Sequence, residues 1–322
     1  MAKFVTIGEP LVVLASEELD LSLDEAQHFI KFVAGAELNV AIGIRRLEHE
    51  VTYISKVGDD PFGRFIIESA TDAGIDVSAL AKDSSLLTGF YLKQKVSQGD
   101  PAVAYFRKNS AASHLTDTEI VSVNLDEVKI AHLSGIFPAL SKTARETFRA
   151  FNQKLNDKKI LTIFDPNLRP VLWQSHEEMV EVTNECAKHS QIVLPGINEG
   201  KILTGTNEPE KIADFYLNQS ELTHTVVIKL GSKGAYVKIK SGESFSVPGF
   251  KVNEVVDTVG AGDGFAVGFE SALLEEKALE TAVHRACAIG ALAVQTQGDN
   301  DGYPTREQLV AFYKKNNYQG DL

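Results

Sequence analysis

The sequence predicts an α/β fold: a mostly parallel sheet between two helical layers, with a small extra β-sheet beside it. Three observations lead there. Short β-branched apolar runs alternate with longer helical patterns through most of the 322 residues, the signature of repeated β–α–β units. Two stretches break that rhythm with strand pairs that have no helix between them. Late in the chain a glycine-rich turn, Asp257-Thr258-Val259-Gly260-Ala261-Gly262-Asp263-Gly264-Phe265, runs straight into an apolar helical pattern through Gly268, Phe269 and Leu273.

Taken in order, Phe4–Ile7 reads as the first strand and Glu37–Leu47 as the first long helix. Between them, Pro10–Ala15 and Gln27–Val33 read as an antiparallel pair. Val51–Lys56 is a strand and Pro61–Ala73 a helix. Thr88–Val96 and Ala102–Lys108 form a second antiparallel pair, joined by a turn at Gln98-Gly99-Asp100-Pro101. The α/β alternation then resumes with strands at Lys129–Leu133, Ile160–Phe164, Gln191–Leu194 and Thr225–Lys229. Helices fall at Lys142–Asn156, Glu177–Lys188 and Pro209–Asn218, and three more lie between Ala261 and Lys315. The two irregular pairs, at about residues 10–33 and 88–108, are expected to form a lid sheet projecting from the core. No repeat, low-complexity tract or Pro- or Ser-rich linker divides the chain, so residues 1–322 read as one domain.

Composition bounds the partners. A chain of this length buries a large core and leaves room for a small subdomain. Its net charge of −12 argues against nucleic acid or an anionic membrane surface as a ligand, because both need clustered Lys and Arg. Cys186 and Cys287 are too few for a disulfide framework and are expected to be buried, reduced thiols. The apolar run at Phe4–Ile7 is broken by Gly8, Glu9 and Pro10 too early for a secretory segment, and no apolar stretch is long enough to span a bilayer. A cytoplasmic enzyme is expected.

The turn at 257–263 supplies the chemistry. Small residues let backbone N–H groups converge on an anionic oxygen, and a helix start adds about half a positive charge at the same place. Asp263, in the first turn, can orient a substrate hydroxyl and accept its proton during phosphoryl transfer. The plain alternative is a capped helix start whose glycines allow close packing. The segment is not G-x-x-x-x-G-K-[ST], and Phe265 stands where G-x-G-x-x-G needs its last glycine.

The fingerprint D-T-x-G-A-G-D resembles the C-terminal signature of the ribokinase-like (PfkB) carbohydrate kinases. The resemblance implies a ribokinase-like three-layer α/β/α core with a β lid. It also implies Asp263 as catalytic base and the amides of Gly260, Ala261 and Gly262 as an anion hole. Gly35-Ala36-Glu37-Leu38-Asn39-Val40-Ala41 is similar to the family's G-G-A-x-x-N-V-A, with Ala34 at the first glycine, which makes Gly35, Ala36 and Asn39 sugar contacts.

In the lid, strand alternation puts Tyr105 and Arg107 on one face, where a guanidinium and a phenol can meet one ligand. A solvated edge strand is the competing reading. Tyr105-Phe106-Arg107-Lys108-Asn109-Ser110-Ala111-Ala112-Ser113 resembles the Y-R-K-x-S-A-A-S segment of 2-keto-3-deoxygluconate kinases, which implies that Tyr91, Tyr105 and Arg107 contact a sugar acid. Asp165-Pro166-Asn167-Leu168-Arg169 follows a strand, at the crevice where open α/β sheets bind ligands. It is similar to the D-x-N-x-R run of ketodeoxygluconate kinases and fructokinases, implying Arg169 as a sugar contact and Asn167 with Arg169 as nucleotide contacts.

On the nucleotide side, Lys229, Gly231, Ser232 and Gly234 match the family's K-x-G-x-x-G turn, Lys233 lies within it, and the helix carrying Cys287, Ala288 and Ala291 is assigned to the adenine. The family's N-x-x-E motif is placed on Asn198-Glu199-Gly200-Lys201, which leaves Asn198 in place and its carboxylate role lost or passed to Glu199. ATP with Mg²⁺ is the implied cofactor, a K⁺ requirement stays open, and no metal ligand is named. The implied activity is ATP-dependent phosphorylation of the 6-hydroxyl of 2-keto-3-deoxygluconate by a homo-oligomer assembled through the lid sheet. The alternatives are a fructokinase or other neutral-sugar kinase, and a non-catalytic sugar-binding protein on the same fold.

Overall fold

The computed structural model describes residues 3–99, 101–318 and 320. Its strands are β1 Phe4–Ile7, β2 Leu11–Leu19, β3 Phe29–Ala34, β4 Val51–Gly58, β5 Leu80–Asp83, β6 Phe90–Lys95 and β7 Val103–Phe106, followed by β8 Ile130–Ser134, β9 Leu161–Asp165, β10 Ile192–Val193, β11 Thr225–Lys229, β12 Ala235–Ile239 and β13 Ser244–Val247. The large sheet runs β13-β12-β11-β10-β9-β8-β1-β4-β5, parallel from β5 to β11 and antiparallel across β12 and β13. Its central strands β1 and β8 are buried at every position, as strands covered on both faces must be.

Helices Ala36–Arg46, Ala261–Leu274 and Leu279–Ala293 cover one face through Leu38, Val267, Phe269 and Ala286. Helices Lys142–Asp157, His176–Lys188 and Pro209–Gln219 cover the other through Phe148, Phe151, Val182 and Tyr216. Local chemistry starts them: Asp60 accepts the Gly63 N–H with Pro61 at the first helical position, and Ser141 accepts the Ala144 N–H. The predicted three layers are therefore present. Among the described residues, no helix is long and apolar enough to cross a membrane. Cys186 and Cys287 are both free and buried.

The two irregular pairs form as expected and join into one four-stranded sheet, β3-β2-β6-β7, because β2 and β6 pair in parallel. Register sets its two faces. Val13, Phe32, Tyr91 and Tyr105 share a row on one side, while Phe90 stacks on Phe106 at 4.8 Å and meets Phe62 of helix Pro61–Asp72 on the other. Of the joining turn, Asp100 lies outside the described residues, as do Met1 and Ala2. The sequence reading ends β2 at Ala15, and it omits the short edge strands β5 and β13 and helix Ile197–Thr204. The edge strands have four residues each, too few for a period to show.

Candidate active site

The parallel strands β1, β8, β9, β10 and β11 deliver the site residues at one rim, on the carboxyl side of the sheet, where such folds bind ligands. The loops after them carry Glu9, Ile136, Asn167, Arg169 and Gly196–Glu199, and β11 ends on Lys229. The small sheet faces this rim from across a cavity of about 730 Å³, to which it contributes Leu11, Tyr91 and Tyr105.

Asp263 sits at the bottom, in the first turn of helix Ala261–Leu274 and 8% exposed. Both its oxygens are held: Asn39 Nδ2 donates to Oδ2 at 3.0 Å and Asn167 Nδ2 to Oδ1 at 3.1 Å. Burial raises its carboxyl above the ordinary range, against the pull of the Asn39 hydrogen bond. Asn39 is fixed in turn by Asn300, whose Nδ2 donates to Asn39 Oδ1 at 3.0 Å. Asn167 adopts φ +40°, in the left-handed region that asparagine tolerates, and its N–H donates to Asp165 Oδ1. Asp165 Oδ2 pairs with Lys229 Nζ at 2.6 Å; burial opposes the ammonium, but that carboxylate more than restores it. Below lies a second buried layer, in which His132 Nδ1 meets Glu270 Oε1 at 2.7 Å and Glu37 bonds Ser134.

The glycine turn is shaped by its neighbours. Gly260 has φ +76°, and a Cβ there would lie 1.8 Å from the Asp299 carbonyl oxygen. A Cβ on Gly262 would point into open space, its nearest neighbour Lys229 Nζ at 3.7 Å. The expected trio of amides is altered: the Ala261 N–H donates to Thr258 O at 3.3 Å to close the turn, while the Gly260 and Gly262 amides have no acceptor among the described residues. Gly35 has φ +121°, and a Cβ would stand 2.4 Å from the Glu9 carbonyl, so only glycine fits beside the first strand's end. Ala36, next to it, lines the cavity.

The two arginines differ. Arg107 donates through Nε to Glu9 Oε2 at 2.7 Å and is ion-paired to it, while Ser110 bonds the other Glu9 oxygen. Arg107 also lines the cavity, with its charge already paired. Glu9, fully buried and absent from the sequence reading, neutralises it. Its signal was available in Gly8-Glu9-Pro10, a charged residue directly after an apolar strand. Arg169 donates to the carbonyls of Leu168 at 3.0 Å and Asn167 at 3.5 Å, and among the described residues it has no carboxylate partner. Asn300 and Asp299 are the other site residues the sequence did not suggest. Asp299 accepts the Tyr91 hydroxyl at 3.3 Å.

A second, apolar cavity of about 350 Å³ adjoins the first, and both touch Lys229, Gly231, Ser232, Thr258 and Gly262. Phe250, Val252, Phe265, Cys287 and Ala291 wall it, with Gly234 at one edge. Cys287 and Ala291 thus line this cavity, whereas Ala288 is turned into the core and Lys233 is exposed on neither cavity. Asn167, Arg169 and Asn198 line only the first cavity. Glu199 caps its helix, its carboxylate accepting Gly196 N–H at 2.7 Å and Leu168 N–H at 2.8 Å, and lines the cavity, whereas Lys201 is exposed off it. Among the described residues, no group of three or more His, Cys, Asp or Glu side chains is assembled to hold a metal.

A buried carboxylate at a helix start lines the larger cavity beside Gly262, where the apolar cavity adjoins it, an arrangement suited to phosphoryl transfer on an α/β core. Residues 1–306 match the pfkB family of carbohydrate kinases, and the chain belongs to that family. It is 45% identical to the 2-dehydro-3-deoxygluconokinase of Bacillus subtilis (strain 168) over 310 residues, 96% of this chain and 94% of that one. The crystal structure of a PfkB protein from Polaromonas sp. JS666 superposes with a TM-score of 0.87 at 40% identity, covering 97% of this chain and all (100%) of the other. A fructokinase double mutant from Vibrio cholerae O395, bound to fructose, ADP and potassium, superposes at 0.84 with 27% identity over 97% of this chain and 98% of its own. The fold is ribokinase-like, and the chain is a carbohydrate kinase.

Proposed function

We propose that this kinase transfers the γ-phosphoryl group of ATP to the 6-hydroxyl of 2-keto-3-deoxygluconate. The observation that carries the reading is the placement of Asp263 on the larger cavity, next to Gly262, which both cavities touch, and beside the free amides of Gly260 and Gly262. In this reading the sugar acid lies in the polar cavity against Gly35, Ala36, Asn39, Tyr91 and Tyr105. Asp263 takes the proton of its primary hydroxyl. The two amides and Lys229 meet the charge that develops on the transferring phosphoryl group. The adenine fills the apolar cavity against Cys287 and Ala291, and the phosphates run over Gly231 and Ser232. Asn39 and Asn167 hold the carboxylate in a single orientation, so no reorganisation is needed at the moment of transfer.

Arg169 is the cation left for the sugar carboxylate, with Arg107 placed by Glu9 so that its remaining N–H groups complete the lid side. Mg²⁺ suits this donor set, because it keeps most of its waters and takes its ligands chiefly from substrate phosphates. Asn198 and Glu199 line the cavity where its water shell would rest, and the ion supplies charge neutralisation across the phosphates. The small sheet acts as a lid within a single domain. Ile30, Phe32 and Val103 remain exposed on the face that also carries Tyr105, which supports self-association through that sheet, measurable by sedimentation.

A coupled assay with ATP across ketodeoxygluconate, ketodeoxygalactonate, fructose and ribose tests the assignment. The expected result is a preference for ketodeoxygluconate with product phosphorylated at the 6-position. Preference for fructose would make it a neutral-sugar kinase. Sugar binding without turnover would make it a silent binding protein.

A further inference from the structure

The lid touches the glycine turn through charge, far from the reacting atoms. Lys93 lies on β6 two residues after Tyr91, hence on the same face of the small sheet, and its Nζ pairs with Asp257 Oδ2 at 2.9 Å. Both side chains are largely withdrawn from water, at 15% and 20% exposure. Asp257 opens the turn. Its other oxygen accepts the Val259 N–H at 3.0 Å, one residue before the Gly260 amide. Tyr91 makes a parallel contact to Asp299, whose carbonyl backs Gly260.

Phe250 anchors the start of that arm against Phe312, Tyr313 and Tyr318, and the Val256 and Asp257 N–H groups donate to Val294 O at 2.8 and 3.4 Å; around Asp257 little else holds it. Residues 248–258 form neither helix nor strand, and Val255 and Val256 are 56% and 50% exposed. Among the described residues, the Lys93 pair is the arm's only ion pair. The stretch at Val255–Asp257, with exposed apolar side chains and two backbone bonds to Val294 O, belongs to the low-stability end of a fold, so a desolvated tie there has leverage on it.

We propose that Lys93 is a positioning residue that couples the sugar lid to the phosphate-binding turn, so that seating the sugar under β6 orders the amides of Gly260 and Gly262 for the nucleotide. The inference rests on the kinase reading above. The pair does two things. It fixes the carboxylate that braces the turn, and it cancels a negative charge that would otherwise face incoming phosphates. Lys93 touches neither ligand in this account and acts only through Asp257.

The test is a binding cycle: the dissociation constant of a non-hydrolysable ATP analogue with Mg²⁺, measured by calorimetry with and without the sugar that the wild type phosphorylates in the coupled assay. Wild type is expected to bind the analogue at least about fivefold more tightly when sugar is present, the lower end of usual coupling between sites. In Lys93→Met that factor falls toward one while affinity for sugar alone stays within about twofold. Asp257→Asn gives the same loss, and the double variant adds nothing further, as expected for one shared interaction. Sugar alone should also slow amide exchange at residues 257–262 in wild type and not in Lys93→Met. A Lys93→Met protein with the full coupling factor, or a wild type that binds both ligands independently, overturns the proposal. Failure of wild type to phosphorylate any sugar overturns the kinase reading instead.

Discussion

The two walls of the active site are built by different rules. The core wall, made of Asp263, Asn39, Asn167, Asp165 and Lys229, is buried and cross-bonded, and both Asp263 oxygens are held by amides within 3.1 Å. The lid wall is mixed, with Tyr91 and the Arg107–Glu9 pair withdrawn from water and Tyr105 45% exposed, and the arm that opens the glycine turn carries Val255 and Val256 at 56% and 50% exposure. The difference separates two tasks. Groups that do chemistry must already stand where the transition state needs them, which favours a rigid wall. Groups that admit and recognise a substrate must move, which favours an element with little packing to lose.

Damage to the core wall should therefore appear in kcat, and damage to the arginines that flank the sugar in kcat/KM or, for Arg107, in stability as well. The largest effect is expected from Asp263→Asn. Loss of the positioned base should lower kcat by at least ~10²-fold while nucleotide affinity and thermal unfolding stay close to wild type. A variant keeping a third of wild-type kcat at saturating substrates would remove Asp263 from the mechanism.

Next come the arginines. A charge-assisted hydrogen bond to a buried group is worth roughly 1.5–3 kcal/mol, about 10- to 150-fold. Arg169→Ala should lower kcat/KM for ketodeoxygluconate by that order and change fructose turnover far less. Arg107→Ala is expected to behave differently, because it strands the buried Glu9 carboxylate. Breaking such a pair disturbs the protein itself, so its losses should fall on both sugars and be accompanied by a lower melting temperature. Equal sugar selectivity in both variants would mean that neither guanidinium reads the carboxylate.

A smaller effect is expected from Gly35→Ala, where φ +121° and the Glu9 carbonyl leave no room for a Cβ. Backbone strain of this kind costs about 1–3 kcal/mol, visible as a lower melting temperature and a raised KM for sugar. The smallest is in the pH profile. Burial raises the Asp263 carboxyl, and the base works only when ionised, so kcat/KM should fall with decreasing pH at values above the ordinary carboxylate range. An acid limb below that range would assign the ionisation to another group.

The core wall was largely legible in the sequence, and the lid wall only in part. The boundaries of β1 and β11 and the start of helix Ala261–Leu274 follow from apolar runs and a glycine turn whose signals are local. The same locality placed Asp263 in a first turn. Partnerships were not legible where they join distant positions. Glu9 meets Arg107 across 98 residues, and Lys93 meets Asp257 across 164, so no spacing rule brings either pair together. Asn39 and Asn167 were read as ligand contacts; both line the cavity, and that both also donate to Asp263 was not legible. With Lys201 at the last position of the motif, its carboxylate role was read as lost or passed to Glu199, and only the capping geometry of helix Ile197–Thr204 shows Glu199 at the cavity.

The central claim is that this site phosphorylates a sugar acid, and one measurement reaches it most directly. Steady-state kcat/KM of the wild-type protein with ATP and Mg²⁺ should be compared for ketodeoxygluconate and fructose, with the phosphorylated position located by NMR. The account predicts a clear preference for ketodeoxygluconate and phosphate on its 6-oxygen. Equal or better turnover of fructose, or phosphate at another position, would contradict it.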